Sequence, residues 1–297
     1  MNFQTQSGFG SRRLSAWLPV LVAALAFPSA SALSQTAPSG SEVYTTITIP
    51  LSPENGATAI NGWRTILGNY GDPSGHGYVL RDGIATPVDY PGALETAAFG
   101  INNWGSVVGY YADAEGNVHG FLRRHGEYSP IDFPGATLTQ ALGINDLGDV
   151  VGYYRVGSEP RHGFLLRRGS FTTLDFPGAT DTRAAAISSR GDIVGRETTG
   201  GVISGFLLRN GDYTSIHYPG SAHSQATGIN IWGEIVGGYL DMEDIDHGFL
   251  LHRGEFTSID FPEALFTRAF GINGRGDIVG DYLTADFTLL GFLRTRH

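Results

Sequence analysis

The stretch Ala141 to Ala179 reads Ala-Leu-Gly-Ile-Asn-Asp-Leu-Gly-Asp-Val-Val-Gly-Tyr-Tyr, then a loop, then His162-Gly-Phe-Leu-Leu-Arg-Arg-Gly-Ser-Phe-Thr-Thr-Leu-Asp-Phe-Pro-Gly-Ala. The phrase recurs along the chain. Its anchor isoleucines, Ile60, Ile101, Ile144, Ile187, Ile229 and Ile272, are spaced 41, 43, 43, 42 and 43 residues apart. Each unit holds four short β-rich runs, a to d, with turn residues between them, so each predicts a four-stranded antiparallel sheet. Asn145-Asp146-Leu147-Gly148 supplies the ab turn, where Asn bonds its own backbone and Gly takes positive φ. Val150-Val151 and Phe164-Leu165-Leu166 are apolar on both sides of the pleat, so both faces of each sheet are expected to be buried. Small sheets covered on both faces by their own copies are the blades of a β-propeller, for which repeats of about 40 to 50 residues are usual.

The ends fit that architecture. The last unit stops after strand c, at Gly291-Phe292-Leu293-Arg294, and the missing strand d is matched by Tyr44 to Pro50 at the front. The expectation is a six-bladed all-β propeller over residues 42–297, closed by the N-terminal strand completing the last blade, which removes the open edge. An open β-solenoid gives no reason for the permuted ends.

Composition agrees. The 297 residues include 43 Gly and 11% aromatic residues but only 16% charged residues. Such a chain suits short strands and tight turns. There is no Cys, so disulfides and thiolate metal sites are excluded, and the net charge of −10 argues against a nucleic-acid or anionic-membrane surface. Arg12 and Arg13, an apolar run from Leu14 to Phe27 and the small residues Ala30-Ser31-Ala32 have the layout of a cleavable signal peptide over residues 1–32, followed by a linker at 33–41. Its removal takes away two Arg and no acid, moving the charge from −10 to −12. A secreted or periplasmic monomer without a membrane span is expected.

Candidate site residues fall where the copies disagree. The bc loops differ in every unit, so the face carrying the bc and da connections is the expected functional face. Four positions before each anchor Ile, at the start of strand a, stand Gly56, Ala97, Gln140, Arg183, Gln225 and Arg268. Gln140, Arg183, Gln225 and Arg268 converging at a channel mouth suit an anionic or hydroxyl-rich ligand, or simply solvate the channel. Asp241, Glu243, Asp244 and Asp246 crowd one bc loop and offer oxygen ligands for Ca²⁺, although they lack the spacing of a helix-loop-helix calcium site and also read as a solvated acidic loop. His76, His119, His162 and His247 share one position before strand c and read as a structural bond within each blade rather than a metal ring. Asp89, Asp132, Asp175 and Asp260 read as acceptors for backbone donors, Thr96, Thr139, Thr182, Ser224 and Thr267 as caps of the da connection, and Trp63, Trp104 and Trp232 as wedges between blades.

The phrases His162-Gly163-Phe164-Leu165 and Gly143-Ile144-Asn145-Asp146-Leu147-Gly148-Asp149-Val150-Val151-Gly152 resemble the extracellular HAF repeat of bacterial exported proteins. The resemblance spans residues 42–297, with Gly where the family name has Ala and without the His in the fourth and sixth copies. It implies secretion and repetition and brings no catalytic residues. No nucleophile elbow, His-Glu-x-x-His motif or phosphate-cradling loop occurs in the chain. The expected function is a noncatalytic binding module for an extracellular glycan or protein. The alternative is a propeller hydrolase or lyase whose carboxylates come from different blades.

Overall fold

The computed structural model describes residues 42–71 and 75–296; the signal-peptide and linker readings of residues 1–41 lie outside the described residues. The order begins with β1 (Val43–Ile47), then β2 (Asn55–Ile60), β3 (Ile66–Tyr70), β4 (His76–Arg81) and β5 (Ile84–Val88). Next come β6 (Glu95–Ile101), β7 (Val107–Ala112), β8 (Val118–Arg124) and β9 (Glu127–Ile131), then β10 (Leu138–Ile144), β11 (Val150–Arg155), β12 (His162–Arg167) and β13 (Ser170–Leu174). The fourth repeat supplies β14 (Asp181–Ile187), β15 (Ile193–Thr199), β16 (Val202–Arg209) and β17 (Asp212–Ile216). The fifth supplies β18 (His223–Ile229), β19 (Ile235–Leu240), β20 (Asp246–His252) and β21 (Glu255–Ile259), and β22 (Phe266–Ile272), β23 (Ile278–Leu283) and β24 (Leu289–Thr295) complete the order.

The architecture is an all-β propeller, but the sheets are not six separate ones as the sequence predicts. Four sheets have four strands, and β6 to β13 form one sheet of eight. The join is a single parallel pairing of Leu138 with Val118. Its physical basis is a crossing that recurs elsewhere as one backbone bond, Thr96 N–H to Gly75 O and Thr182 N–H to Arg161 O, both 2.9 Å. At that crossing an inner strand starts beside the preceding unit's strand c. The N-terminal strand β1 pairs antiparallel with β24, from Val43 opposite Thr295 to Ile47 opposite Gly291, in the position strand d has elsewhere.

The repeat phrase explains the core. Tyr78, Phe121, Phe164, Phe206, Phe249 and Phe292, one per unit, are fully buried. Each such ring contributes about 1.5–3 kcal/mol by burial. Gly152 makes room for one of them: a Cβ there would meet Gln140 O at 1.9 Å and the Phe164 ring at 2.9 Å. The carbonyl comes that close because β10 bulges between Ala141 and Gly143. Gly143 serves the next contact outward, since a Cβ there would sit 2.9 Å from both Ala185 O and Ala186 Cα of the following unit. Inner strands therefore pack backbone against backbone.

The ab turns add a polar belt. Asn145 Oδ1 accepts the Leu147 and Asp149 N–H groups at 3.0 and 2.9 Å, as the sequence predicts, and its Nδ2 donates onward to Ser188 O at 3.3 Å. The same bridge at 3.1 Å runs from Asn61 to Asn102, Asn102 to Asn145, Asn230 to Asn273 and Asn273 to Asn61. Ser188, the fourth unit's substitute for Asn, keeps the turn bonds to Arg190 and Asp192 N–H. No helix among the described residues is long and apolar enough to cross a membrane.

Candidate functional site

Each inner strand begins at the end of its sheet away from the Asn belt. There the residue four before the anchor Ile faces one residue of strand b. The six facing pairs are Gly56 and Asn69, Ala97 and Tyr110, Gln140 and Tyr153, Arg183 and Arg196, Gln225 and Gly238, and Arg268 and Asp281. One position thus carries six different chemistries on an otherwise uniform scaffold.

The fourth unit is the most irregular. Arg183 and Arg196 lie directly opposite across β14 and β15, an arrangement that costs stability because like charges repel. Arg161 enters from the preceding bc loop. Asp181 is the carboxylate that answers them: Arg183 Nε–H donates to its Oδ1 at 2.8 Å, and Arg161 and Arg183 each reach Oδ2 at 3.4 Å. Burial raises the Asp181 pKa, but Arg183, Arg196 and Arg161 outweigh it and hold the carboxyl below its usual range. Burial first, then the Arg183 charge, pushes the Arg196 guanidinium down to about 10, so it stays charged at neutral pH. Arg161 Nε–H is buried without a hydrogen-bond partner among the described residues. Three guanidinium groups around one carboxylate leave two positive charges in excess.

Tyr153 floors this cluster. Its hydroxyl donates to Gln140 Oε1 at 2.5 Å, and the Arg183 and Arg161 Cζ atoms lie 5.2 and 5.9 Å from its ring centroid, within cation–π range. Gln140 and Arg183 are therefore brought together through a tyrosine that the sequence reading did not single out. Asp181, Arg161 and Arg196 were likewise missed. The signal for Arg196 was present, since strand b follows Val-Gly, or Leu67-Gly68 in the first copy, with Asn69, Tyr110, Tyr153, Arg196, Gly238 and Asp281 in the six copies.

The other expected mouth residues do not join them. Arg268 makes a two-pronged ion pair with Asp281 at 2.9 Å on both bonds, and Asp281 is completely buried. Gln225 stands across from Gly238, a side-chain-free position. The acidic loop also divides. Asp241 Oδ1 accepts the N–H groups of Glu243 and Ile245 at 2.8 and 2.9 Å, whereas Asp246 faces the Arg268–Asp281 pair. No group of three or more His, Cys, Asp or Glu side chains among the described residues is arranged to hold a metal ion.

The repeat histidines are structural bonds within their own units. His76, His119, His162 and His247 place Nδ1 at 3.0, 2.9, 2.8 and 2.6 Å from Asp89, Asp132, Asp175 and Asp260. Those aspartates thus take imidazoles, not the backbone donors expected. The fourth unit keeps the bond with exchanged partners, Ser204 Oγ to His217 Nδ1 at 3.1 Å. The hydroxyls of Thr96, Thr139, Thr182, Ser224 and Thr267 each accept a da-connection N–H as expected. The tryptophans are not wedges: Trp63, Trp104 and Trp232 are 70%, 75% and 67% exposed. Trp104 and Trp232 lie on the surface and reach the next unit by their indole N–H groups, which donate to Asp146 O at 3.0 Å and Gly274 O at 2.8 Å.

No protein-family model matches the chain, and no curated protein matches its sequence. Solved structures are similar in fold. AofleA from Arthrobotrys oligospora superposes with a TM-score of 0.55 at 14% identity, covering 85% of this chain and 86% of that one. TolB from Acinetobacter baumannii gives 0.55 at 11% identity over 82% and 64% of the two chains. A fucose-recognising lectin of Aleuria aurantia, itself a six-bladed β-propeller, gives 0.50 at 12% identity over 80% and 89%. At such identities the likeness speaks for the propeller fold alone.

Proposed function

We propose that this chain is an exported, noncatalytic glycan-binding module on a closed six-bladed propeller, and that its channel mouth takes an acidic saccharide. The eight-stranded sheet counts as two blades because one pairing alone joins its halves. The contact of Gly271 with Ala59, where a Cβ would approach to 2.9 Å, supports a ring. Export rests on the signal-peptide layout and on the resemblance to extracellular HAF-repeat proteins. A carbohydrate ligand is in keeping with the lectin neighbour.

The observation that carries the ligand class is the Arg161–Arg183–Arg196 cluster with Asp181 as its shared counter-charge. In a chain of net charge −10, two excess positive charges at half-buried positions run against the overall field. Planar guanidinium forks pair with carboxylate or sulfate through two parallel bonds. A carboxylate-bearing sugar would relieve the repulsion between Arg183 and Arg196.

Calorimetric titration with a hyaluronan hexasaccharide and an oligogalacturonide, against a neutral xylo-oligosaccharide, tests this reading. Saturable binding of an acidic oligomer, weakened by added salt, is expected. Equal binding of the neutral control, or no binding of either acidic oligomer, overturns the ligand class. Release of shortened or unsaturated products in the same mixtures overturns the noncatalytic assignment.

A further inference from the structure

A second copy-specific sector lies at the opposite end of the sheets. In the third to sixth units the fifth residue after the anchor Ile is acidic: Asp149, Asp192, Glu234 and Asp277. Each of these acids holds a nearby base. Arg167 pairs with Asp149 at 3.0 Å, Arg209 with Asp192 at 2.8 Å, His252 with Glu234 at 3.0 Å and Arg64 with Asp277 at 2.8 Å. In the first and second units the same position is Thr65 and Ser106. Arg81, the first unit's counterpart of Arg167, therefore has only its exposed sequence neighbour Asp82, at 3.6 Å.

Two further departures fall in that sector. Arg123 stands where the other copies have Leu80, Leu166, Leu208, Leu251 and, in the sixth, Arg294; its Cζ lies 5.8 Å from the Tyr128 ring centroid, and it has no ion pair among the described residues. Trp63 and Trp104 are the one place where successive units both carry Trp in the ab turn; the other units have Leu147, Arg190, Trp232 and Arg275. These residues line one cleft of about 180 Å³, together with Asn103 and Ile101 and without any carboxylate. Trp104 is oriented by its indole N–H, which donates to Asp146 O at 3.0 Å. Two exposed indoles cost solubility and do nothing for the core, and the Arg81 and Arg123 guanidinium groups beside them, with no acid lining the cleft, add hydrogen-bond donors.

We propose that the cleft between the first two repeats is a second saccharide site, which binds a single pyranose ring. The ring's apolar C–H face lies on Trp63 or Trp104, and its oxygens accept from Arg81 and Arg123. The volume suits one ring, being well below the roughly 300–1,000 Å³ of pockets for larger ligands. This inference does not depend on the mouth, which lies at the other end of the sheets.

The test uses the full chain carrying Arg196→Ala, so that the mouth is disabled. Methyl β-D-glucopyranoside and methyl β-D-glucuronide are titrated with saturation-transfer NMR and tryptophan emission as readouts. Saturable binding of at least one is expected, and the preferred arm shows whether the arginines meet a hydroxyl or a carboxylate. Trp104→Leu and Arg123→Leu install residues that other copies already carry, so both variants fold; each is expected to weaken binding at least tenfold. Thr65→Asp gives the first unit the acid of the later ones and is expected to do the same by engaging Arg81. Absence of saturable binding to either glycoside, or binding unchanged in all three variants, overturns the site. Concentration-dependent dimerisation abolished by Trp104→Leu also overturns it, in favour of a protein-docking surface.

Discussion

Equivalent places at the starts of the inner strands hold Arg183 facing Arg196 in the fourth repeat and Arg268 facing Asp281 in the sixth. The backbone is the same, and the first residue of each pair is the same. In the sixth repeat the guanidinium is spent on a buried partner with two bonds of 2.9 Å. In the fourth it meets a like charge, with Asp181 shared among three arginines. One sector is arranged for stability, and the other gives up stability to keep positive charge available. Under the proposed function, that trade keeps guanidinium groups for an acidic ligand.

Breaking the stable sector should have the largest effect. Asp281→Ala removes the fully buried carboxylate that takes both Arg268 bonds and leaves Asp246 as the acid facing the guanidinium, and loss of one partner from such a pair costs up to about 3–5 kcal/mol. Denaturant unfolding should show a lower midpoint with acidic-glycan binding unchanged. Breaking the other sector should do the reverse. Arg196→Ala removes a charge-assisted contact of about 1.5–3 kcal/mol, read as a roughly tenfold to hundredfold rise in Kd for the acidic probe, with unfolding nearly unchanged.

The comparison sharpens if one sector is converted into the other. Arg196→Asp recreates the sixth repeat's pair in the fourth. It should abolish acidic-glycan binding and raise stability by about 0.2–1 kcal/mol, the scale of cross-strand charge pairs, measured by the unfolding midpoint.

The smallest effect concerns the His–Asp bonds of the outer strands. Burial lowers the His119 and His247 pKa values, but Asp132 with Asp113, and Asp260 with Asp241, outweigh it and hold both above the ordinary value. A raised folded pKa stabilises the protein below the unfolded value of about 6.5 and loses that contribution as pH rises through the folded value. The melting temperature should therefore fall slightly between pH 6 and pH 8.5, and the double variant His119→Gln, His247→Gln should flatten that slope.

Much of the fold was legible because its causes are local and repeated. The Asn145 turn, the Thr139 cap and the strand phrases recur with fixed spacing, and each follows from a residue's own backbone preferences. That each repeat histidine bonds within its own unit was legible in the same way, but its partner was not: the sequence assigns Asp175 to backbone donors, and the sheet brings it to His162 instead. The site was only half legible. Arg183 and Gln140 stood out because the copies differ there, yet Arg268 stood out equally and serves another purpose. What separates the two arginines is the residue across the strand, thirteen positions away, Arg196 in one repeat and Asp281 in the other. The tryptophans depart from expectation for a related reason. A wedge role presumes a gap between sheets, and Gly143 and its counterparts leave backbone in contact instead.

The sequence by itself determined the repeat period, the strand phrases, the turn chemistry and the matching of the first strand to the last unit, because these depend on neighbours within one unit. Only the tertiary structure decided which charges are answered. Whether a guanidinium is neutralised depends on carboxylates brought in from other strands and other repeats, as Asp281 is for Arg268 and as no acid is for Arg123 among the described residues. Coulomb energy depends on distance in space and on burial, and neither is recorded in the spacing of residues along the chain.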